Sequence, residues 1–95
     1  MIRRYYIDGM YLFSIIDNLA YLDINLDSNK DVEGWEDVEI PTGYGKVVKL
    51  LYCRSRLFTR VCGAVVKLDR AVSEDEVNNA YTEIVQEIRK AIGKP

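Results

Sequence analysis

Between Ser73 and Gly93 the chain carries a full set of helix signals around one apolar stripe, and that stripe restricts the fold more than any other feature of the sequence. Ser73 and Glu76 have the spacing of a capping box, Val72 and Val77 that of a hydrophobic staple, and Glu74, Asp75 and Glu76 suit the positive helix end. Arg89 and Lys90 suit the negative end. Gly93 suits the left-handed residue that closes a helix, so one is predicted over 74–92. Val77, Tyr81, Ile84, Ile88 and Ile92 line one side, widened by Ala80, Val85 and Ala91. So broad a stripe needs an apolar partner, and one face of an antiparallel sheet is the only large one the remaining chain provides.

The strands are read from period and turn chemistry. Residues 3–7 and 10–16 flank Asp8-Gly9, a pair that accepts the positive φ angles of a hairpin turn. Leu12, Ile15, Ile16 and Leu19 would also share one face of a helix over 10–22, so two periods compete there. Residues 19–27 settle the choice toward strand, because Ala20, Leu22, Ile24 and Leu26 alternate with Tyr21, Asp23, Asn25 and Asp27. Asp17-Asn18 then becomes a second turn. Residues 28–34 read as a polar surface loop, 35–40 as a short strand ended by Pro41, and 41–45 as an exposed turn carrying Tyr44.

Residues 46–70 hold both cysteines, the longest β-branched and aliphatic runs, and more than half of the 13 Lys and Arg residues. Leu57, Phe58, Val61, Cys62, Val65 and Leu68 would share a helical face. Phe58, Cys62, Ala64, Val66 and Leu68 would share a strand face broken only by Arg60. The pairs Val47-Val48 and Val65-Val66 favour strand, as does Gly63, which costs a helix interior about 1 kcal/mol relative to Ala. The expectation is a basic hairpin, 46–54 and 57–68. The whole chain, 1–95, then forms a single α+β domain: an antiparallel β-meander or sheet of about five to six strands with one C-terminal amphipathic helix packed across one face.

The net charge of −2 conceals a segregation along the chain. Residues 5–39 carry nine acids against Lys30 alone, and residues 46–70 carry seven bases against Asp69. Pairing of acidic with basic strands inside one fold accounts for this pattern. No apolar run approaches the roughly 20 residues that span a bilayer, and Met1–Tyr6 lacks the apolar core of a signal peptide. A soluble cytoplasmic protein without membrane contact is expected. Cys53 and Cys62 are too few for a disulfide scaffold, and with no histidine there is no zinc ligand set. They would point apart on a helix but face each other in a hairpin, so reduced thiols held close together are expected.

Catalytic and metal motifs fail on particular residues. Asp23-x-Asn25-x-Asp27 begins like a calcium loop, but Ser28 and Gly34 stand where Gly and a bidentate Glu are needed. Residues 40–47 depart from a phosphate loop at Ile40 and Val47. Cys53 has arginines nearby to favour its thiolate but no histidine to act as base. No enzyme activity, metal or cofactor is implied. Two binding readings remain. The first is a non-enzymatic protein-interaction module that self-associates as a homo-oligomer, because Tyr5, Tyr6, Tyr11, Tyr21, Tyr44 and Trp35 exceed what one small core can hold. The alternative is a nucleic-acid-binding protein whose hairpin 46–68 places Arg54, Arg56 and Arg60 on phosphates, against which the sequence pI of 5.1 argues. The candidate binding residues are therefore Trp35, Tyr44, Arg54, Arg56 and Arg60.

Overall fold

Asp8 and Asp17, both at φ 53°, turn the chain twice within its first twenty residues and commit it to strands rather than to the competing helix over 10–22. A computed structural model describes residues 1–25, 31–55 and 58–93. The elements are β1 (Ile2–Ile7), β2 (Tyr11–Ile16), β3 (Leu19–Asp23), β4 (Asp31–Thr42), β5 (Gly45–Ser55), β6 (Phe58–Leu68) and α1 (Val77–Ala91). All strand pairs are antiparallel and the sheet order is β1-β2-β3-β6-β5-β4. The α+β architecture with one C-terminal helix on one face is as expected. The order is not one continuous meander: two three-stranded meanders join through β3 and β6, so the chain leaves mid-sheet after β3 and re-enters at the far edge.

Strand β4 corrects the reading of 31–45, while residues 28–30 of the expected loop lie outside the described residues. It begins at Asp31, where a loop was expected, and runs through Pro41 to Thr42. Proline is tolerated because β4 is an edge strand, where a missing N–H breaks no ladder. Register shifts between Val32 and Gly34 and between Asp37 and Ile40 interrupt its alternation, which hid its length in the sequence. Tyr44, in the following turn, is half-buried rather than exposed, with the Arg70 guanidinium 5.2 Å from its ring centroid. Strand β3 ends at Asp23, short of the expected Ile24 and Asn25, although the Ile24 N–H still donates to the Cys62 carbonyl at 3.0 Å; residues 26 and 27 of the expected strand lie outside the described residues.

The helix opens as a single 3₁₀ turn over Glu74–Glu76. The Glu76 carboxylate accepts from the Ser73 N–H at 3.3 Å and from Ser73 Oγ–H at 3.0 Å, so Glu76 reaches back as a capping box requires. Val77, Ala80, Tyr81, Ile84, Val85 and Ile88 are buried, Ile92 packs at the margin, and Ala91 is exposed, outside the stripe assigned to it. Opposite them lie Ile7, Phe13, Ile15, Ala20, Leu22, Ile40, Val47, Leu50, Val61, Ala64, Val66 and Leu68. At about 25 cal/mol per Å² of apolar surface, this layer is the main source of stability.

Candidate functional site

A strand shows its residues alternately to two faces, and here the helix covers one of them. Phe13, Ile15, Ala20 and Leu22 point into the helix layer, so Leu12, Ser14, Ile16, Leu19 and Tyr21 point the other way. The register extends this open face across the sheet. Asp23 pairs with Gly63, Gly63 with Leu51, and Leu51 with Trp35, which puts β3, β6, β5 and β4 in one row. Ile2, Ile16, Leu19 and Trp35 are 46, 44, 47 and 49% exposed, and Tyr6 more so.

Gly63 lets Tyr21 lie across the row. A Cβ at Gly63 would stand 3.0 Å from Tyr21 Oη and 3.3 Å from Cε1, so the absent side chain is the space the ring uses. Tyr21 thereby meets Trp35 edge-on, with centroids 6.4 Å apart. Its hydroxyl donates to Asp23 Oδ1 at 2.9 Å, while Asp23 Oδ2 accepts the Leu12 N–H at 3.1 Å. On the helix side, the Asp23 carbonyl accepts from the Tyr81 hydroxyl. Asp23, considered above as a cation ligand, is thus a node joining the two faces.

Burial, then the Asp23 hydrogen bond, raises the Tyr21 phenol far above its ordinary 10. Burial, then the charges of Tyr11 and Asp23, pushes Tyr81 up to about 12. The neutral phenols are favoured by the fold, so their contribution is complete below pH 10. It is lost as the pH rises toward 12, because the unfolded chain releases those protons first. Denaturation midpoints should therefore fall steadily above pH 10, and Tyr81→Phe should flatten that fall. A midpoint that is level to pH 12 contradicts this reading.

Both cysteines lie beneath the open face with Leu51, in a cluster separate from the main core. They are joined as a disulfide with Cα atoms 5.8 Å apart, which bears out the proximity expected of them. Cys53 pairs with Arg60, while the register passes from Leu51–Gly63 to Tyr52–Val61, leaving Cys62 as the extra residue of a bulge. That bulge turns Cys62 toward Cys53 and admits Val61 to the helix layer. It also removes Cys62 and Phe58 from the strand face on which simple alternation placed them. Closing a loop of nine residues contributes about 2–3 kcal/mol through the unfolded state. Reduction should lower the urea midpoint accordingly, and a midpoint unchanged by reductant would refute it.

The sequence-selected residues do not converge. Trp35 belongs to the open face, Tyr44 to the β4–β5 turn, and Arg54 and Arg60 to the far end of the β5–β6 hairpin, exposed. Arg56 lies outside the described residues. Arg60 sits 5.5 Å over the Phe58 ring centroid. The expected pairing of acidic with basic strands is present: Lys46 meets Glu39 at 3.0 Å and Lys49 meets Asp37 at 2.6 Å. Ile2, Ile16, Leu19 and Val65, the apolar members of the open face, were missed. Their signal was the run of two adjacent apolar residues, as in Ile15-Ile16 and Val65-Val66, which serves both faces at once.

No group of three or more His, Cys, Asp or Glu residues that could hold a metal occurs among the described residues. No helix among them is long and apolar enough to cross a membrane. Comparison with protein-family models, curated proteins and solved structures finds no match to this chain.

Proposed function

We propose that this protein is a non-enzymatic interaction module that self-associates by stacking the open face of its sheet on that of a second copy. The observation that carries the reading is the set of half-exposed apolar and aromatic residues Ile2, Ile16, Leu19, Tyr21 and Trp35, spread over three rows of one sheet face while the other face is filled by the helix.

Charge favours a second copy as the occupant. Edge strand β1 carries Arg3 and Arg4 and no acid, while edge strand β4 carries Asp31, Glu33, Glu36, Asp37 and Glu39 and no base. A two-fold axis along the strands lays β1 of each copy against β4 of the other, bringing Arg4 on the open face over the acidic edge, while Arg3 is turned to the helix side, where it donates to the Val72 carbonyl at 3.1 Å. Direct edge-to-edge pairing of β4 with itself is opposed by its acids and by its two register shifts.

The nucleic-acid alternative has less support, because β5 and β6 are both interior strands rather than a free ribbon, and Lys46 and Lys49 are neutralised by β4. A cytoplasmic location remains part of the proposal. There the Cys53–Cys62 bond would be reduced, and alkylation of intact cells followed by mass measurement tests it.

Sedimentation at increasing concentration should give a species of twice 11.0 kDa. Trp35→Asp should return it to the monomer while leaving the circular dichroism unchanged. A monomer at every concentration overturns the proposal.

A further inference from the structure

The sheet ends in two edges, and they are not equally closed. Edge strand β4 carries five acids, Pro41 and two register shifts, each of which discourages a further strand. Edge strand β1 has no proline or glycine, and its six residues pair with β2 from Ile2–Ile16 to Ile7–Tyr11 without a shift. Among the described residues no strand lies beyond it. In an antiparallel ladder alternate residues turn their N–H and C=O groups away from the neighbour, so β1 presents a regular row of such groups at the free edge.

Only charge guards that edge. Alternation puts Arg4 on the open face with Ile2 and Tyr6, and Arg3 on the helix side with Tyr5, where Arg3 donates to the Val72 carbonyl. Both arginines are exposed, and neither forms an ion pair among the described residues. Two adjacent cations, one on each face, select among incoming strands, because opposite charges directly across a ladder stabilise it and like charges oppose it. A basic strand is repelled, and a second β1 would bring its own arginines. A second β4 has the acids but also the proline and the register shifts. We propose that the free edge of β1 takes up an extended acidic segment of another protein by strand addition, two consecutive acidic residues facing Arg4 and Arg3 and apolar residues facing Ile2 and Tyr6. The acids are consecutive because an added strand alternates its faces as β1 does. This surface lies beside the sheet, in its plane, whereas self-association uses its face.

Amide NMR titrations of the full chain with the capped peptide Thr-Val-Thr-Glu-Glu-Val test the inference. The peptide should shift the amides of Ile2–Ile7 at submillimolar concentration, and its Lys-Lys analogue should bind about tenfold or more weakly. N-methylation of alternate peptide residues should abolish binding in one set and spare it in the other, because an added strand bonds β1 through one of its edges only. Arg4→Glu, a change at an exposed position, should remove most of the preference between the Glu and Lys peptides. The monomeric Trp35→Asp variant should bind the peptide as the parent does, which separates failure of this edge from failure of the interface. Equal binding of the two peptides overturns the inference. So do a preference that survives Arg4→Glu, equal effects of the two N-methylated sets, shifts centred on β4 or on Tyr21 and Trp35, or no shift up to several millimolar. Shifts of β1 amides that grow with the concentration of Trp35→Asp protein alone would make a second copy the occupant, and they too overturn it.

Discussion

Gly45→Ala should destabilise the protein by about 3–5 kcal/mol, a large share of the total stability of a domain this size. Gly45 is buried at the start of β5 with φ 139°, where an L side chain is strained by about 1–3 kcal/mol. The added methyl would also press on the Lys67 carbonyl oxygen and stand 2.8 Å from Leu68 Cα. Both are backbone atoms of an interior strand, and overpacking against atoms that cannot rotate away costs about 1–3 kcal/mol more. Gly43, two residues earlier, makes the control. The nearest atoms to a Cβ there belong to the Glu83 carboxylate, whose flexible side chain can withdraw at the loss of its hydrogen bond from the Gly43 N–H. Urea midpoints of the two variants should differ widely, and equal midpoints would mean that the β4–β5 turn adapts in a way this packing does not allow.

Two isoleucines on opposite sides of the molecule should separate stability from association. Ile84 is fully buried at the centre of the α1 stripe, so Ile84→Ala should cost about 2–5 kcal/mol, the transfer of the lost carbons plus the cavity they leave. Self-association at a temperature where the variant stays folded should be little changed. Ile16 is 44% exposed on the open face, and Ile16→Asp should do the converse. The monomer should lose little stability, whereas a charge buried between two sheets without a partner should raise the dissociation constant at least about a hundredfold. Calorimetry and sedimentation on the same two proteins check both halves. Ile16→Asp unfolding the monomer as severely as Ile84→Ala would show that the face is core rather than contact surface.

The C-terminal helix was legible because its information is local: cap, staple, stripe and closing glycine all lie within one short stretch and agree. The first two hairpins were legible for the same reason, since Asp8-Gly9 and Asp17-Asn18 set their own turns. Strand β4 was not. Its bulges break the period of 2, and Pro41 reads as a terminator unless the strand is known to be an edge, which is a property of the assembled sheet. The same limit applied to Cys62, whose bulge reversed the face that alternation assigned to it.

The candidate site divides along the same line. Sequence alone identified Trp35 as an aromatic in excess of the core and the arginines of the hairpin as cations in excess of local acids, because composition and spacing are properties of the chain itself. Only the tertiary structure decided that Trp35 meets Tyr21 across two intervening strands and that Lys46 and Lys49 are neutralised by β4. Those relations join residues on different strands. They depend on the β3–β6 pairing and on the return of the chain at β4, long-range choices made by burying one shared apolar layer under the helix rather than by any short-range signal.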